Sequence, residues 1–189
     1  MNKTIVVFIT SFLFGCANGN YHASPPKTYI DQSKVAVLEF LARPASVSSP
    51  GHTYIKLLAE DEDRKMSTVS TYGFYPAANS KLIQIFHTKG ELRSELELSN
   101  PPSITVTTIL NTKQFEDVML AINDWETKAF LGFKKYQLTT QNCISFVNEI
   151  ALKTELITPS MTLEFPTQYI EKLAQLNKIP KAVGSSMKE

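Results

Sequence analysis

The sequence predicts a single α+β domain in which an antiparallel sheet packs against helices. Three observations lead there. Residues 51–74 hold two β-rich segments around an acidic turn, the pattern of a hairpin. Residues 111–130, 142–154 and 166–177 repeat apolar side chains at helical spacing. And 189 residues, 43% hydrophobic and 20% charged, supply one ordinary core but not two. A formal charge of +1, with no basic run longer than Lys134-Lys135, argues against a nucleic-acid partner. Internal repeats and glycine-rich phosphate loops are absent from the sequence, and neither a cofactor nor a metal is expected.

Residues 1–16 read as an export signal. Lys3 precedes an apolar run over residues 5–14, interrupted only by Thr10 and Ser11, and Gly15-Cys16 follows. The run is about ten residues, half of the roughly 20 that span a bilayer, so it is not a transmembrane helix. Leu13-Phe14-Gly15-Cys16 resembles a bacterial lipobox, in which Cys16 becomes the lipidated first residue of the mature chain. Ordinary cleavage after Ala17 is the other outcome, since Gly15 and Ala17 are the small residues a signal peptidase reads. Ala17 in place of an aspartate after Cys16 resembles outer-membrane sorting. The expected location is the bacterial envelope: the periplasmic face of the outer membrane for a lipoprotein, otherwise periplasmic or secreted. Residues 17–32, poor in large aliphatics and containing Pro25-Pro26, suit an extended tether.

The folded domain is expected over residues 33–178. Residues 35–42 are nearly continuously apolar, as in a strand covered on both faces, and Pro44 ends them. A turn rich in serine and closed by Pro50-Gly51 leads into a strand that begins at His52. The acidic turn over residues 60–64 returns it along residues 66–74, which would set His52 opposite residues 70–73. Residues 81–88 are a strand or a short helical turn, and residues 91–98 alternate too loosely to assign. After Pro101-Pro102, residues 103–110 form a strand. Asn111 with Gln114 makes a capping box for a helix to Phe130, with Phe115, Val118, Met119, Ile122, Trp125 and Ala129 facing the core. Residues 134–138 are a short strand or connector. Residues 139–142 offer caps for the next helix, and Pro166 opens the last one at its first position. Residues 179–189 are expected to form a loose tail.

Cys143 stands in the first turn of the second helix, where unsatisfied N–H groups and the helix dipole stabilise a thiolate. A lone cysteine beside Ile144, Phe146 and Val147 also fits a small buried hydrophobe. Its setting favours chemistry: Cys16 belongs to the signal, so the mature domain has no internal disulfide, and a thiol kept in an oxidising compartment needs a reason. A thiol nucleophile requires a base and a group that orients it. His22 lies in the tether and His87 on a poorly defined segment, which leaves His52 as the best base. Tyr54, Tyr72 and Tyr75 read equally as packed aromatics or as walls of a substrate cleft, with Asn142 as a further cleft candidate.

Gly51-His52 on an early strand, followed by Asn142-Cys143-Ile144-Ser145-Phe146-Val147 at a late helix start, resembles the circularly permuted NlpC-type papain-like cysteine hydrolases. That group includes the lecithin:retinol acyltransferase-like proteins, and the likeness spans roughly residues 34–156. It implies acyl transfer to Cys143 with His52 as base and then acid. The acyltransferase-like members carry a second histidine on the next strand; here that strand offers Ser67, Thr68, Ser70, Thr71 and Tyr72, so the orienting role falls to Thr71 or Ser70. By the same resemblance, Gln137 or Gln141 supplies an oxyanion donor beside the cysteine N–H. In the envelope the nearest abundant amide substrate is the stem peptide of peptidoglycan. The expected activity is therefore a cell-wall endopeptidase or amidase, the alternatives being a lipid thioesterase or acyltransferase and a non-catalytic envelope-binding lipoprotein.

Overall fold

The computed structural model describes residues 35–46, 51–60, 63–77, 87–94, 102–160 and 164–183. The export signal, Cys16, the tether with His22, and residues 81–86 lie outside them. Among the described residues ten elements follow in order: β1 (Ala36–Arg43), β2 (His52–Glu60), β3 (Met66–Pro76), β4 (Thr88–Arg93), β5 (Ile104–Leu110), α1 (Thr112–Phe130), β6 (Lys135–Tyr136), α2 (Cys143–Lys153), α3 (Pro166–Asn177) and β7 (Lys181–Val183). The strands form one antiparallel sheet in the order β6-β4-β3-β2-β1-β5-β7. The architecture is the expected α+β one and is consistent with a papain-like arrangement.

Alternation along the central strands explains why one face carries the core. Ala36, Leu38, Phe40 and Ala42 of β1 and Ile55 and Leu57 of β2 are buried with Tyr72 and Phe74 of β3. The other face of β1 is more open than a doubly covered strand: Val35 just ahead of it is exposed, and Glu39 faces Lys56 at 3.6 Å. The reading of β1 as covered on both faces therefore holds only near Leu41, which is buried.

Two glycines are dictated by geometry. Gly51, at φ 84°, feeds His52 into register opposite Arg43; a Cβ there would lie 2.9 Å from Arg43 O and Ala45 N. A Cβ on Gly90 would overlap the Phe74 ring, so β4 can lie against β3 only with glycine at that position. β4 was illegible in sequence because Leu92 is its one large apolar side chain. The tail expected to be loose from residue 179 instead supplies β7, whose Lys181–Val183 ladder extends β5 at the sheet's edge.

The helices lie on the core face. Asn111 Oδ1 accepts from Gln114 N at 2.8 Å and Gln114 Oε1 accepts from Asn111 N at 3.1 Å, the reciprocal cap that starts α1. Gln114 Nε2 also donates to Thr154 O at 3.2 Å, tying the start of α1 to the end of α2. Trp125 meets Phe74 and Phe146 edge-on, at centroid distances of 4.8 and 5.3 Å, so β3, α1 and α2 join at one aromatic node. Tyr169 OH donates to Asn148 Oδ1 at 2.9 Å, and α3 is thereby held to α2.

Candidate active site

The loop ahead of α2 builds the site from its backbone upward. Gln137 and Gln141 face each other in a bridge, with Gln137 N donating to Gln141 O at 2.8 Å and the reverse bond at 3.0 Å. Gln141 Oε1 accepts from Lys135 N at 3.0 Å, and Gln137 Oε1 accepts from Thr140 Oγ1. The two glutamines proposed for the oxyanion thus serve the turn that delivers Asn142. Asn142 is the N-cap: its Oδ1 accepts from Ile144 N at 2.9 Å and Ser145 N at 3.1 Å, and its Nδ2 donates to Leu138 O at 2.6 Å. With its amide engaged on both sides, Asn142 shapes the helix start that carries Cys143. The cap leaves the Cys143 N–H outside its bonds.

Cys143 is the first residue of α2 and only 5% exposed, packed where the helix meets the start of β2. His52, 8% exposed, opens β2, and Thr53 beside it is fully buried. Burial pushes the thiol up, but the His52 imidazolium, a hydrogen bond with its ring and one from the Thr53 backbone outweigh it, while the buried Thr53 hydroxyl makes no hydrogen bond of its own. Together they bring Cys143 below the value of an ordinary thiol, to about 7. The two residues that sequence reasoning paired across about ninety positions are therefore neighbours. Thr53 was missed. Its signal was its place next to His52 in a strand whose following inward residues, Ile55 and Leu57, are apolar: a hydroxyl in an otherwise apolar row.

The register overturns the choice of orienting group. Lys56 pairs with Thr71 and Leu57 with Ser70, so these side chains lie four and five residues along β2 from His52. At about 3.3 Å per residue that is well over 10 Å, and neither reaches the imidazole. Continuing the ladder past the pair Ile55 and Tyr72 sets Tyr75, not residues 70–73, across from His52. The imidazole stacks on Tyr75 with centroids 4.1 Å apart and 25° between planes, and lies nearly parallel to Tyr54 at 6.2 Å. Arg43 Nη2 donates to Tyr75 OH at 3.1 Å and sits over the Tyr54 ring at 5.2 Å; Arg93 lies over Tyr75, also at 5.2 Å, and Arg93 Nε donates to Glu91 Oε1 at 2.8 Å. An aromatic wall braced by guanidinium groups fixes the ring plane.

The remaining tyrosine candidates divide. Tyr54 is buried and backs the imidazole, whereas Tyr72 belongs to the core cluster, where burial raises its phenol; it is no cleft wall. Tyr136 of β6, also buried, has its phenol held protonated by burial and by the Cys143 charge nearby. His87 is exposed just ahead of β4. Among the described residues no group of three or more His, Cys, Asp or Glu could hold a metal. Chemically, the arrangement offers a partly ionised thiol, a proton carrier in contact with it and a helix-start N–H beside it.

No protein-family model matches the chain, and no curated protein matches it. Among solved structures the fold is similar to that of a type VI secretion system effector, TseH, at 16% identity and a TM-score of 0.50, covering 80% of this chain and 100% of that one. At that identity the likeness is one of fold.

Proposed function

We propose that the protein is a cysteine hydrolase of the permuted papain-like, NlpC-type kind, exported to the bacterial envelope, where it cleaves amide bonds in peptidoglycan stem peptides. The observation that carries the proposal is the buried Cys143 thiol at the start of α2, lowered to about 7 by His52 and Thr53. Neither a core thiol nor a surface thiol has reason to be so tuned. The export signal read over residues 1–16 supports an exported role.

In this reading the Cys143 thiolate attacks the amide carbon, and the Cys143 N–H at the helix start faces the developing oxyanion. His52 passes its proton to the leaving amine, giving a thioester and a free amine. Water then attacks the thioester, His52 takes the proton from water, and the carboxylic acid leaves with the thiol restored. Tyr75 holds the imidazole plane while Thr53 supports the thiolate before attack.

Purified cell-wall fragments incubated with the protein and resolved by mass spectrometry test the proposal. The expected product is a stem peptide cut at one amide, absent with Cys143→Ala and reduced by about a thousandfold or more with His52→Ala. Fragments left intact by a folded wild-type protein would defeat the substrate assignment.

A further inference from the structure

The turn that follows α1 presents large apolar side chains to solvent. Phe130 is 74% exposed, Leu131 57% and Phe133 75%, within four consecutive residues. The backbone of this turn is well satisfied: Gly132 N donates to Ala129 O at 3.1 Å, Phe133 N to Lys128 O at 2.8 Å and Lys134 N to Lys128 O at 3.0 Å. Gly132 takes φ 80°, and a Cβ there would meet nothing within 4 Å, so the turn projects into open space. Polar side chains would close it equally well. Three exposed apolar residues on a firmly bonded projection form a contact surface.

Charge identifies the partner. No acidic residue lies between Thr127 and Tyr136, while Lys128, Lys134 and Lys135 do. Lys89 stands 5.7 Å from the centre of the Phe130 ring. Lys128 is neutralised by Asp124 at 2.8 Å and Lys134 by Glu149 at 3.3 Å; Lys89 and Lys135 have no ion pair among the described residues. Aromatic and aliphatic tips ringed by lysines match the boundary of an anionic bilayer, where the tips enter the acyl region and the ammonium groups stay at the phosphates. A protein groove would satisfy the apolar tips but has no need of the basic rim. Among the described residues no helix is long and apolar enough to cross a membrane, so the contact is with its surface.

We propose that residues 130–133 form an interfacial wedge that docks on anionic lipid through Phe130, Leu131 and Phe133, with Lys89 and Lys135 at the headgroups. The wedge joins the site directly, since Phe133 precedes β6 by two residues and Tyr136 in that strand borders Cys143. Docking therefore holds the thiol end of the sheet close to the membrane plane. The proposal rests on the turn's exposure and charge and is independent of the hydrolase reading.

The test uses the full chain carrying Cys16→Ser, so that no lipid can be attached, with Phe133→Trp as reporter; the native Trp125 is buried and contributes a constant background. Vesicles of phosphatidylglycerol brominated in the acyl chains should blue-shift and quench the introduced indole, while Leu120→Trp, exposed on α1, stays unquenched. Adding Phe130→Ser and Leu131→Ser should abolish the quenching without lowering the thermal midpoint, because these side chains lack core contacts. Lys89→Glu with Lys135→Glu should weaken vesicle binding roughly fivefold or more for each site. An unquenched reporter at position 133, or equal quenching at position 120, overturns the wedge. Equal binding to phosphatidylcholine overturns its preference for anionic lipid.

Discussion

The helix α2 meets the sheet at two points one turn apart, and the two are built on opposite principles. At Phe146 the meeting is dry and aromatic: Trp125 bridges Phe146 and Phe74 edge-on, with no exposure at Phe74 or Phe146. At Cys143 it is polar and electrostatically tuned, a thiol against His52 and Thr53 with Tyr75 stacked behind the imidazole. The first contact gains from removing surface from water; the second places a charge-forming group where burial opposes the charge. A nucleophile kept at a core's edge can be fixed by the core without being silenced by it.

This contrast gives its largest measurable effect in unfolding experiments. Trp125→Ala empties the aromatic node and should cost about 3–5 kcal/mol, read from the urea midpoint at unchanged slope. Cys143→Ala removes one sulfur at the rim and should change stability by no more than about 1 kcal/mol while abolishing turnover. Equal costs at the two positions would mean that Cys143 is simply another core residue.

The second test falls on the residue that joins the two regions. Asn142→Ala should cost about 1 kcal/mol, because Ile144 and Ser145 lose their cap and Leu138 O loses its donor. Asn142→Asp should recover only part of that stability, since a carboxylate caps and favours the helix dipole but cannot donate to Leu138 O. It should also raise the thiol pKa, because a negative charge beside Cys143 disfavours the thiolate. Stability and reactivity would then move in opposite directions; parallel movement would show that the cap and the thiol are not separable.

What could be read from the sequence divides along the same line. The helices announce themselves by local rules, the Asn111 and Gln114 box and Pro166 at the first helical position, and the structure has both. Cys143 was legible because a helix start has known electrostatics, and His52 because few histidines compete. Ser70 and Thr71 were misplaced because a register is a long-range property: a shift between Leu57 and Leu58 and a longer β3 carry Tyr75 to the position opposite His52. Thr53 and Tyr75 act through what lies across from them, which no local pattern records. β4 and β7 owe their existence to neighbours, since one contains Gly90 against Phe74 and the other is three residues long at an edge.

The smallest effect is also the most diagnostic, and it concerns the pH midpoint of thiol alkylation. An ordinary thiol titrates near 8.5, whereas Cys143 at about 7 should show its alkylation midpoint there. At pH 6 the lower pKa gives roughly thirty times more thiolate, but a less basic thiolate is about fivefold less nucleophilic, leaving a net advantage of only about sixfold. With Cys143 only 5% exposed, access can consume that margin, so the midpoint is the sound observable rather than the rate. His52→Ala removes the charge and hydrogen bond that oppose burial, and the midpoint should rise past that of a free thiol. Thr53→Val keeps the shape and the backbone bond and removes a hydroxyl that has no hydrogen-bond partner, so its midpoint should stay close to that of the wild type. Tyr75→Leu leaves both partners of the sulfur in place and frees the ring plane. Its midpoint should rise less than that of His52→Ala, whereas Tyr75→Phe, which keeps the stack and loses only the Arg43 bond, should stay close to wild type. A midpoint unmoved by His52→Ala would mean that the imidazole does not hold the thiolate, and the apparent tuning of the site would have to be assigned to the helix start alone.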